Sequence, residues 1–560
     1  MTEATRTRTG GQALVDALRI HGVDTVFCVP GESYLAVLDA LHDAGNAIRT
    51  IACRQEGGAS FMAEAYGKVT GKPGVLMVTR GPGACNASIG VHTAQQDSTP
   101  MVVLIGQVAR DQEYREAFQE VDYRRFYGPL CKWVAQIESA DRVPELVSQA
   151  FHRACSGRPG PVALALPEDM LRDLTAAPDA GPVRPAIGGV DAGALAELGE
   201  RIARAERPFL IAGGGGWTAA AVADLQAFAS AHQVPVGASF RCQDRFDNTH
   251  ACYAGDVGIG ISPKLAARIR ESDLLIVAGA RLGEMTTQGY TLVDLPVPRQ
   301  DLVHIHPDPE ELGSVYQSVL PISATMPALC AALAGLAPGG ADSRRAWVAG
   351  ANADYLEHLA PTPGLPGTVD MGAVMAHIQK RLPPEAILTT DAGNFSGWMH
   401  RHYQYRRYPT QLGPTNGAMG YGFPSAIAAR LVHPDRPVVA FCGDGGALMS
   451  GQEIATAMLH GIDPVFLVIN NNMYGTIRMH QERDYPDRQS ATALRNPDFA
   501  RWAESFGAHG ELVTETAQFA PALERALGAG KAAVIEIRID PELINTKTTL
   551  SKIRGTGKKR

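Results

Sequence analysis

The feature that most constrains the fold of this chain is a pair of short polar motifs, each attached to an apolar run. The first motif, residues 442–447 (Cys-Gly-Asp-Gly-Gly-Ala), follows the apolar run 436–441. The second, residues 468–475 (Val-Ile-Asn-Asn-Asn-Met-Tyr-Gly), closes the apolar run 463–469. Between them, residues 449–460 have helical apolar spacing. Strand, helix and strand in this order predict a βαβ unit, with both motifs at the carboxyl ends of neighbouring parallel strands.

Both motifs carry hard oxygen ligands at the predicted strand ends. Asp444 and Asn471 lie 27 positions apart, and such a pair suits Mg²⁺ that bridges phosphate oxygens. Gly443 and Gly445 allow a ligand to approach the backbone, and the helix that follows offers free N–H groups to a phosphate. A simple turn followed by a polar loop is the alternative, but the spacing, the strands and the Asn-Asn ending disfavour it.

At these residues the sequence resembles the thiamine diphosphate (ThDP) enzymes, whose Mg²⁺–diphosphate motif is Gly-Asp-Gly followed a βαβ unit later by Asn-Asn. The resemblance implies that Asp444 and Asn471 are side-chain ligands of Mg²⁺ and that Met473 contributes its backbone carbonyl. It also implies further cofactor contacts in the two motifs, at Gly443, Gly445, Gly446, Ala447, Tyr474 and Gly475.

The length of the chain, 560 residues, is too great for one core and predicts three domains. Apolar strand-like runs alternate with helical patterns, which predicts an α/β fold of three Rossmann-like parallel-sheet domains. With the roles that the resemblance implies, the predicted parts are a pyrimidine-binding domain (1–175), a central domain (188–335), a diphosphate- and Mg²⁺-binding domain (369–541) and a mobile basic tail (542–560). The predicted strands are 25–29, 74–79, 101–105, 161–166, 208–212, 274–278 and 302–306.

Composition limits the partners and the compartment. Hydrophobic residues make up 45% of the chain and charged residues 19%, and the net charge of −7 gives no reason to expect nucleic acid or an anionic membrane as partner. Nine scattered cysteines fit a reducing compartment. The first ten residues are polar, and no apolar run is long enough to span a bilayer. We therefore expect a cytoplasmic protein.

Glu56 is the predicted catalytic residue. It lies in residues 54–59 (Arg-Gln-Glu-Gly-Gly-Ala), just before a predicted helix, and by itself would be interpreted as a surface carboxylate or a helix-start residue. In ThDP enzymes a glutamate in such a stretch bonds N1′ of the aminopyrimidine and relays a proton, which promotes loss of the thiazolium C2 proton.

Within the family the sequence is similar to acetolactate synthase and pyruvate oxidase along all three domains. The Ser-Gly-Pro-Gly-Ala-x-Asn stretch of the synthases reads Arg-Gly-Pro-Gly-Ala-Cys-Asn at residues 80–86, and their Phe-Gln-Glu reads 118–120. The resemblance implies that Pro82 and Asn86 lie at the cofactor and that Gln119 faces the substrate. A surface position is the alternative for Gln119.

Two glycine-containing loops of the third domain also resemble cofactor contacts. In residues 416–424, the family places a bulky apolar wedge at Met419 that holds the cofactor in its bent shape. The Gly417 carbonyl and the Met419 amide would then contact the aminopyrimidine. Residues 390–396 resemble the second diphosphate loop, with contacts at Gly393, Asn394 and Phe395.

Several residues depart from the synthase pattern. Arg80 replaces a small residue, and His480 stands where the synthases carry the tryptophan that selects the acceptor. Arg80, Arg478 and His480 are therefore candidates to bind a second carboxylate or a polar substrate tail, with ordinary salt bridges or caps as the alternative. Glu32, after Gly31, is a candidate proton donor, because pyruvate decarboxylases carry an acid there; a helix N-terminal acid is the alternative.

The middle domain raises the question of a second nucleotide. Four glycines at 213–216 follow a strand and precede a helix, which suits a pyrophosphate, and residues 279–284 are similar to an arginine-bearing loop of flavin-binding members. Against FAD, His306 replaces the expected acidic residue and residues 241–244 depart from the flavin pattern. FAD therefore stays open, and an ADP-like group is disfavoured.

The resemblance implies a homodimer or homotetramer with active sites between subunits. We expect a ThDP- and Mg²⁺-dependent enzyme that decarboxylates a 2-oxo acid and transfers the acyl-anion equivalent to a carbonyl acceptor. Plain decarboxylation, which Glu32 favours, and lyase chemistry on a 2-hydroxyacyl-CoA are the alternatives. A catalytically silent ThDP-fold regulatory protein is disfavoured because Glu56 and Asp444 are both present.

Overall fold

A computed structural model of the protein describes residues 7–338 and 341–556. Within these ranges the chain contains three six-stranded sheets and one two-stranded sheet. All strand pairs in the three large sheets are parallel, and helices alternate with the strands. The predicted α/β fold of three parallel-sheet domains is confirmed.

The first large sheet has the strand order β3-β2-β4-β5-β7-β6. The strands of this region are β1 (Arg8–Thr9), β2 (Thr25–Cys28), β3 (Arg49–Ala52), β4 (Gly74–Val78), β5 (Met101–Gln107), β6 (Trp133–Gln136), β7 (Pro161–Pro167) and β8 (Leu174–Thr175). Its helices are α1 (Gly10–Ile20), α2 (Leu35–Ala44), α3 (Glu56–Thr70), α4 (Pro82–Asp97), α5 (Tyr123–Tyr127) and α6 (Val143–Cys155). Strands β1 and β8 form the small antiparallel sheet.

The second sheet has the order β11-β10-β9-β12-β13-β14. Its strands are β9 (Pro208–Ala212), β10 (Val236–Ser239), β11 (Tyr253–Val257), β12 (Leu274–Ala278), β13 (Asp301–His306) and β14 (Leu320–Ser323). The accompanying helices are α7 (Ala192–Arg204), α8 (Ala219–His232), α9 (Pro263–Glu271), α10 (Met326–Ala334) and α11 (Ala341–Leu359).

The third sheet has the order β16-β15-β17-β18-β20-β19. Its strands are β15 (Ile387–Thr390), β16 (Gln411–Leu412), β17 (Val438–Gly443), β18 (Val465–Asn470), β19 (His509–Val513) and β20 (Ala533–Arg538). Its helices are α12 (Met371–Arg381), α13 (Ser396–His402), α14 (Gly422–Val432), α15 (Asp444–Ser450), α16 (Ile454–Leu459), α17 (Gly475–Asp484), α18 (Phe499–Ser505), α19 (Thr516–Leu527) and α20 (Leu550–Thr556). Strands β17 and β18 are neighbours, with Gly443 opposite Ile469, so both polar motifs stand at the same edge of this sheet.

Each large sheet is covered by apolar side chains, as its continuous apolar strands predict. Every residue of β4, β7, β12 and β18 is buried. The chain forms two compact units: one contains residues up to Ala186 with Ile427–Val432 and Ser450–Ile462, and the other contains the remaining residues. Over residues 7–338 and 341–556, no helix combines the length and the apolar character that crossing a bilayer requires.

The predicted single helix over residues 449–460 is wrong in its extent. Helix α15 already begins at Asp444 and ends at Ser450, and α16 starts only at Ile454. Between them, Ser450 leaves helical geometry with φ −142° and ψ 3°, and Gly451–Glu453 form a single 3₁₀ turn. The apolar spacing continues across the break. The spacing alone therefore predicts one helix, whereas the backbone forms two.

The predicted mobile tail is also wrong for the part of the tail that the structure describes. Leu543, Ile544 and Leu550 are buried, and α20 packs against α17. Arg554 donates two hydrogen bonds to the Glu482 carboxylate, at 2.7 and 2.8 Å. A bidentate arginine–carboxylate pair and three buried apolar side chains therefore hold this segment; residues 557–560 lie outside the described part.

Replacing Arg554 by alanine should loosen α20 in a pH-dependent way. The Arg554 hydrogen bonds, with help from Arg478, lower the pKa of Glu482 to about 2, and the Glu482 side chain is 1% exposed. Because the folded pKa lies below the unfolded value of about 4.3, this stabilisation is complete above that value and is lost as pH falls towards 2. We expect Arg554→Ala to cost about 1 kcal/mol of unfolding free energy at pH 7, since Arg554 is partly exposed.

The measurement is the unfolding free energy of wild type and variant between pH 7 and pH 3.5, with hydrogen exchange over α20. The difference should be constant from pH 7 to about pH 5 and should shrink below that. Arg554→Lys is the matched control, because it keeps the charge and loses the bidentate geometry. A difference that does not change with pH would mean that packing, not the ion pair, holds α20.

Candidate active site

Glu56 is the first residue of α3, and the preceding turn determines its position. Gln55 has extended backbone (φ −153°), and its side chain accepts a hydrogen bond from the Gly58 N–H, so the helix begins at Glu56. The Glu56 residue is 9% exposed. Its carboxylate accepts a hydrogen bond of 2.9 Å from the Asn86 side chain on α4. Two predicted site residues from separate stretches of sequence therefore meet.

The start of α4 is tightly packed around glycines. A Cβ at Gly83 would lie 3.3 Å from the Glu56 carboxylate, and one at Gly81 would lie 2.8 Å from the Gln119 carbonyl. Gly81 has φ +59° and immediately precedes Pro82, the first residue of α4. This close packing brings Gln119 next to the turn that carries Pro82.

Gln119 is held in an unusual backbone conformation, with φ +67°. Its side-chain oxygen is buried and, among the residues that the structure describes, has no hydrogen-bond partner. Strain together with an unsatisfied polar atom is typical of functional positions. These observations fit the substrate-facing role predicted for Gln119 without testing it.

The Arg80 guanidinium has a carboxylate partner. It donates to Glu168 at 3.0 Å and to the Phe118 carbonyl at 3.2 Å, and the residue is 9% exposed. Arg80 thus tethers the residue next to Gln119. The salt bridge that the sequence left open for Arg80 is present, and its substrate role stays a prediction.

Gly31 and Glu32 begin the short 3₁₀ helix Glu32–Tyr34. Gly31 packs directly against the Thr79 side chain, which leaves no room for a Cβ, and Ser33 and Thr79 share a hydrogen bond of 2.8 Å. The Glu32 side chain is exposed. The geometry of this turn agrees with a helix-start acid, and the proton-donor role of Glu32 stays a prediction.

The metal motif forms an oxygen-rich pocket at the ends of β17 and β18. Asp444 is 4% exposed, and burial raises the pKa of its carboxyl. The Asn496 amide nitrogen lies 2.8 Å from Asp444 Oδ2, 2.9 Å from Asn470 Oδ1 and 3.3 Å from Asn472 Oδ1. An NH₂ group has only two protons for these three oxygens. Converging hard oxygens around a buried carboxylate fit a small divalent cation.

The predicted ligands Asn471 and Met473 both lie in the turn between β18 and α17. Asn471 Oδ1 accepts a local hydrogen bond of 3.2 Å from the Met473 N–H, and the Tyr474 N–H donates to the Thr492 carbonyl. Gly475 then begins α17. Asn496 was missed by sequence reasoning because it lies 52 positions from Asp444, in a loop without a recognisable motif.

A cradle of glycines adjoins this pocket. A Cβ at Gly443 would lie 2.6 Å from the Phe395 ring, and one at Gly445 would lie 2.5 Å from the Tyr474 ring and 3.4 Å from the Met419 methyl. At Gly446 a Cβ would collide with the Asp391 carboxylate. Only glycine fits at these positions, because protein side chains already occupy the space that a Cβ would need. Ala447 is fully buried behind them.

Asp391 organises the two neighbouring loops and was missed as a site residue. Its Oδ1 accepts hydrogen bonds from the Ala392 and Gly420 N–H groups, at 2.7 and 2.8 Å. Burial raises its pKa to about 7. Asp391 thereby joins the loop that carries Gly393–Phe395 to the loop that carries Gly417–Met419. The sequence signal that could have identified Asp391 is its position directly after β15.

The remaining predicted contacts lie near these loops. Asn394 exchanges two hydrogen bonds with Thr476 of α17, at 3.0 and 3.1 Å, and the Phe395 ring packs over Gly393. Gly417 has φ +72°, which its place in the loop requires.

Helix α17 carries the two other substrate candidates. Arg478 Nε donates to Glu482 at 2.9 Å, so its guanidinium already has a carboxylate partner. His480 is partly exposed on the same helix. The salt-bridge alternative is thus present for Arg478, and the substrate roles of both residues stay predictions.

Packing explains two of the four glycines in the central domain. A Cβ at Gly213 would collide with Ser239, and one at Gly214 would collide with the Gly279 carbonyl. The Trp217 indole N–H donates to the Gly213 carbonyl at 2.8 Å. The Trp217 residue is 5% exposed. Because strand-end packing alone requires these glycines, the run gives no independent support for FAD.

Three family models match the chain in the order of its sheets. They are the N-terminal TPP binding domain, the central domain and the C-terminal TPP binding domain of thiamine pyrophosphate enzymes, over residues 8–126, 195–333 and 391–537. The first match contains Glu56 and Asn86, and the third contains Asp444 and Asn471.

Curated relatives match almost the whole chain. An acetolactate synthase large subunit from Parasynechococcus marenigrum (strain WH8102) is 34% identical over 553 residues, covering 96% of this chain and 88% of the relative. Acetolactate synthase isozyme 2 large subunit from Escherichia coli (strain K12) is 30% identical over 546 residues, covering 95% of each chain. A probable acetolactate synthase large subunit from Methanocaldococcus jannaschii is 30% identical over 553 residues, covering 95% of this chain and 92% of the relative. The chain therefore belongs to the thiamine diphosphate enzymes, close to the acetolactate synthase large subunits, and is a transferase-type enzyme.

Proposed function

We propose that this protein is a ThDP- and Mg²⁺-dependent carboligase that decarboxylates a 2-oxo acid and joins the resulting acyl unit to a carbonyl acceptor. The observation that carries the proposal is the buried Glu56 carboxylate at the start of α3, bonded by Asn86 at 2.9 Å. The similarity to acetolactate synthase large subunits along almost the whole chain supports carbon–carbon bond formation as the reaction class.

The residues of the third sheet fit the diphosphate end of the cofactor. Asp444, Asn471 and the Met473 carbonyl would hold Mg²⁺, and the glycine cradle would accept the diphosphate. The oxygen-rich pocket around the Asn496 nitrogen supports the metal assignment, and the match to the C-terminal TPP binding domain over residues 391–537 supports diphosphate binding by these loops. When bound, ThDP acts as the electron sink for the carbanion that forms when a 2-oxo acid loses CO₂.

Glu56 and Met419 would serve the pyrimidine end. Glu56 would hold and return one proton at its carboxylate, with Asn86 fixing the direction of one carboxylate oxygen. Met419, which contacts the Gly445 position, would set the bend of the cofactor. Glu56 is 9% exposed, and this burial would keep water away from the proton path.

The substrate would lie near Gln119, whose side-chain oxygen is buried and unsatisfied. Arg80 and Arg478 are each paired with a carboxylate, and breaking a mostly buried ion pair to bind a substrate anion costs several kcal/mol. His480, which is partly exposed, is the better candidate to face an acceptor. Because both arginines already have carboxylate partners, a small acceptor with a single negative charge is favoured over an acceptor with a second carboxylate.

We also propose that the protein is a homodimer or homotetramer with active sites between subunits. This proposal follows from the family resemblance. Size-exclusion chromatography with light scattering measures the state directly.

Cofactor content and product analysis test the proposal. The purified protein should carry ThDP and Mg²⁺, and with pyruvate it should form acetolactate, or a mixed product when a second oxo acid or an aldehyde is added. Bound flavin would be visible by its absorbance in the same sample. Free aldehyde as the sole product would replace the carboligase assignment by simple decarboxylation. Absence of ThDP after reconstitution would contradict the proposed function altogether.

A further inference from the structure

A buried carboxylate lies directly beneath the turn that carries Glu56. Glu453 belongs to the 3₁₀ turn Gly451–Glu453 and is fully buried, with 0% exposure. The Arg54 N–H lies 3.2 Å from both of its carboxylate oxygens, and the Gln55 N–H donates at 3.0 Å. The Thr456 hydroxyl donates to Oε2 of the same carboxylate at 2.5 Å.

These bonds reach the two residues immediately before Glu56. Backbone N–H groups at the start of a helix lack partners within the helix, and a negative charge is stabilised near this positive end of the helix. Glu453 supplies both the acceptor and the charge for the entrance to α3. Two of its donors are the backbone N–H groups of Arg54 and Gln55, so the carboxylate constrains the course of the chain and not merely a side-chain rotamer.

Gly58 shows how closely the carboxylate packs against the first turn of α3. A Cβ at Gly58 would lie 2.5 Å from Glu453 Oε1. The preceding glycine, Gly57, leaves similar room for the Gln55 side chain, because a Cβ at Gly57 would lie 2.6 Å from Gln55 Oε1. The adjacent glycines therefore allow the Gln55 cap and the Glu453 carboxylate to hold one turn together.

We infer that Glu453 is a positioning residue for Glu56, rather than an ordinary buried carboxylate. Asn86 fixes the Glu56 carboxylate, and Glu453 fixes the backbone from which Glu56 projects. Both are needed because a proton relay depends on distance: displacement of about 1 Å in a catalytic group can cost about 100-fold in rate. This inference rests on the proposed function, in which Glu56 relays a proton to the cofactor.

Glu453→Gln tests the inference with minimal change in shape. The amide has one oxygen in place of two and places N–H donors where the backbone also donates. We expect the variant to keep bound ThDP and Mg²⁺ while the exchange of the cofactor C2 proton, followed by NMR after acid quench, slows by about 10- to 100-fold. Thr456→Val, which removes one hydrogen bond to Glu453, should give a smaller loss in the same direction.

Glu64→Gln is the matched control. Glu64 is also a fully buried glutamate, lies on α3, and forms an ion pair of 3.2 Å with Lys68 and a hydrogen bond with Thr99. Its substitution should lower the melting temperature and leave the C2 exchange rate unchanged. Equal slowing in Glu64→Gln and Glu453→Gln would reduce Glu453 to a general stability role and overturn the inference.

A double-mutant cycle with Glu56→Gln separates positioning from general damage. If Glu453 acts through Glu56, adding Glu453→Gln to Glu56→Gln should not slow the exchange further, because the group that it positions is already gone. Independent, multiplicative losses would overturn the inference, as would wild-type exchange in ThDP-loaded Glu453→Gln. Full exchange in Glu56→Gln alone would instead contradict the proposed function, so the two failures are distinguishable. If Glu453→Gln does not fold, the same cycle is run with Thr456→Val.

Discussion

Glu56→Gln should leave ThDP bound and slow the exchange of its C2 proton by at least about 100-fold, equivalent to about 2.7 kcal/mol. The glutamine amide has nearly the shape of the carboxylate, so its oxygen still accepts the bond that Asn86 donates at 2.9 Å. What the variant loses is the ability to hold and return a proton. Because the glutamine keeps this position but cannot take up and release a proton, the variant separates proton relay from simple cofactor binding.

Equilibrium binding of ThDP and quenched-flow NMR of C2 exchange measure the two properties separately. Binding should change by no more than a few-fold, because the contacts of the diphosphate end are untouched. Glu64→Gln, eight residues further along α3, again provides the comparison for a buried glutamate without a predicted cofactor contact. Wild-type exchange in Glu56→Gln would remove Glu56 from the catalytic role, whatever its burial.

Much of this fold follows from local patterns. Continuous apolar runs predict buried parallel strands, and β9 and β12 were predicted with the bounds that the structure has. The two polar motifs also stand at neighbouring strand ends, as the βαβ pattern requires. In these elements, local sequence and final burial favour the same structure.

The shorter edge strands were missed for a physical reason. Strand β6 (Trp133–Gln136) is only partly buried throughout, and β16 has just two residues. Such segments owe their conformation to pairing with a separate strand, so their own residues carry little signal.

The residues that support the candidate site were the hardest to predict. Glu453 lies in a run with helical spacing, yet its function depends on the backbone N–H groups of residues almost 400 positions earlier. Asn496 reaches Asp444 from a loop, and Asp391 joins two loops through its carboxylate. Sequence motifs identify the residues that contact a ligand. The residues that hold those motifs in place depend on tertiary contacts, which the local sequence does not reveal.

Asp444→Ala should reduce Mg²⁺-dependent ThDP affinity by at least about 100-fold, or about 2.7 kcal/mol. Asp444 is the only carboxylate among the proposed ligands, and the others are neutral amide or carbonyl oxygens. Mg²⁺ binds through hard, preferably charged oxygens, so the remaining ligands would hold it weakly. Once the metal is lost, the negative charges of the diphosphate have no counter-ion in the glycine cradle.

The same substitution should act differently on the cofactor-free protein. Burial raises the pKa of Asp444, which means that its charged form is costly when no cation is present. Asp444→Ala should therefore change the melting temperature of the cofactor-free protein little, while abolishing the increase that ThDP and Mg²⁺ produce together. A purely structural aspartate would give the opposite result, a lower melting temperature in both states.

Asp370→Ala is the matched control for this experiment. Asp370 caps α12 by accepting hydrogen bonds from the Gly372 and Ala373 N–H groups, and loss of such a cap costs about 1 kcal/mol. It should lower the melting temperature with and without cofactor by similar amounts and leave ThDP affinity unchanged. Should Asp444→Ala retain ThDP with the Mg²⁺ dependence of the wild type, the metal must bind elsewhere, and the oxygen pocket around Asn496 would be a structural hydrogen-bond network only.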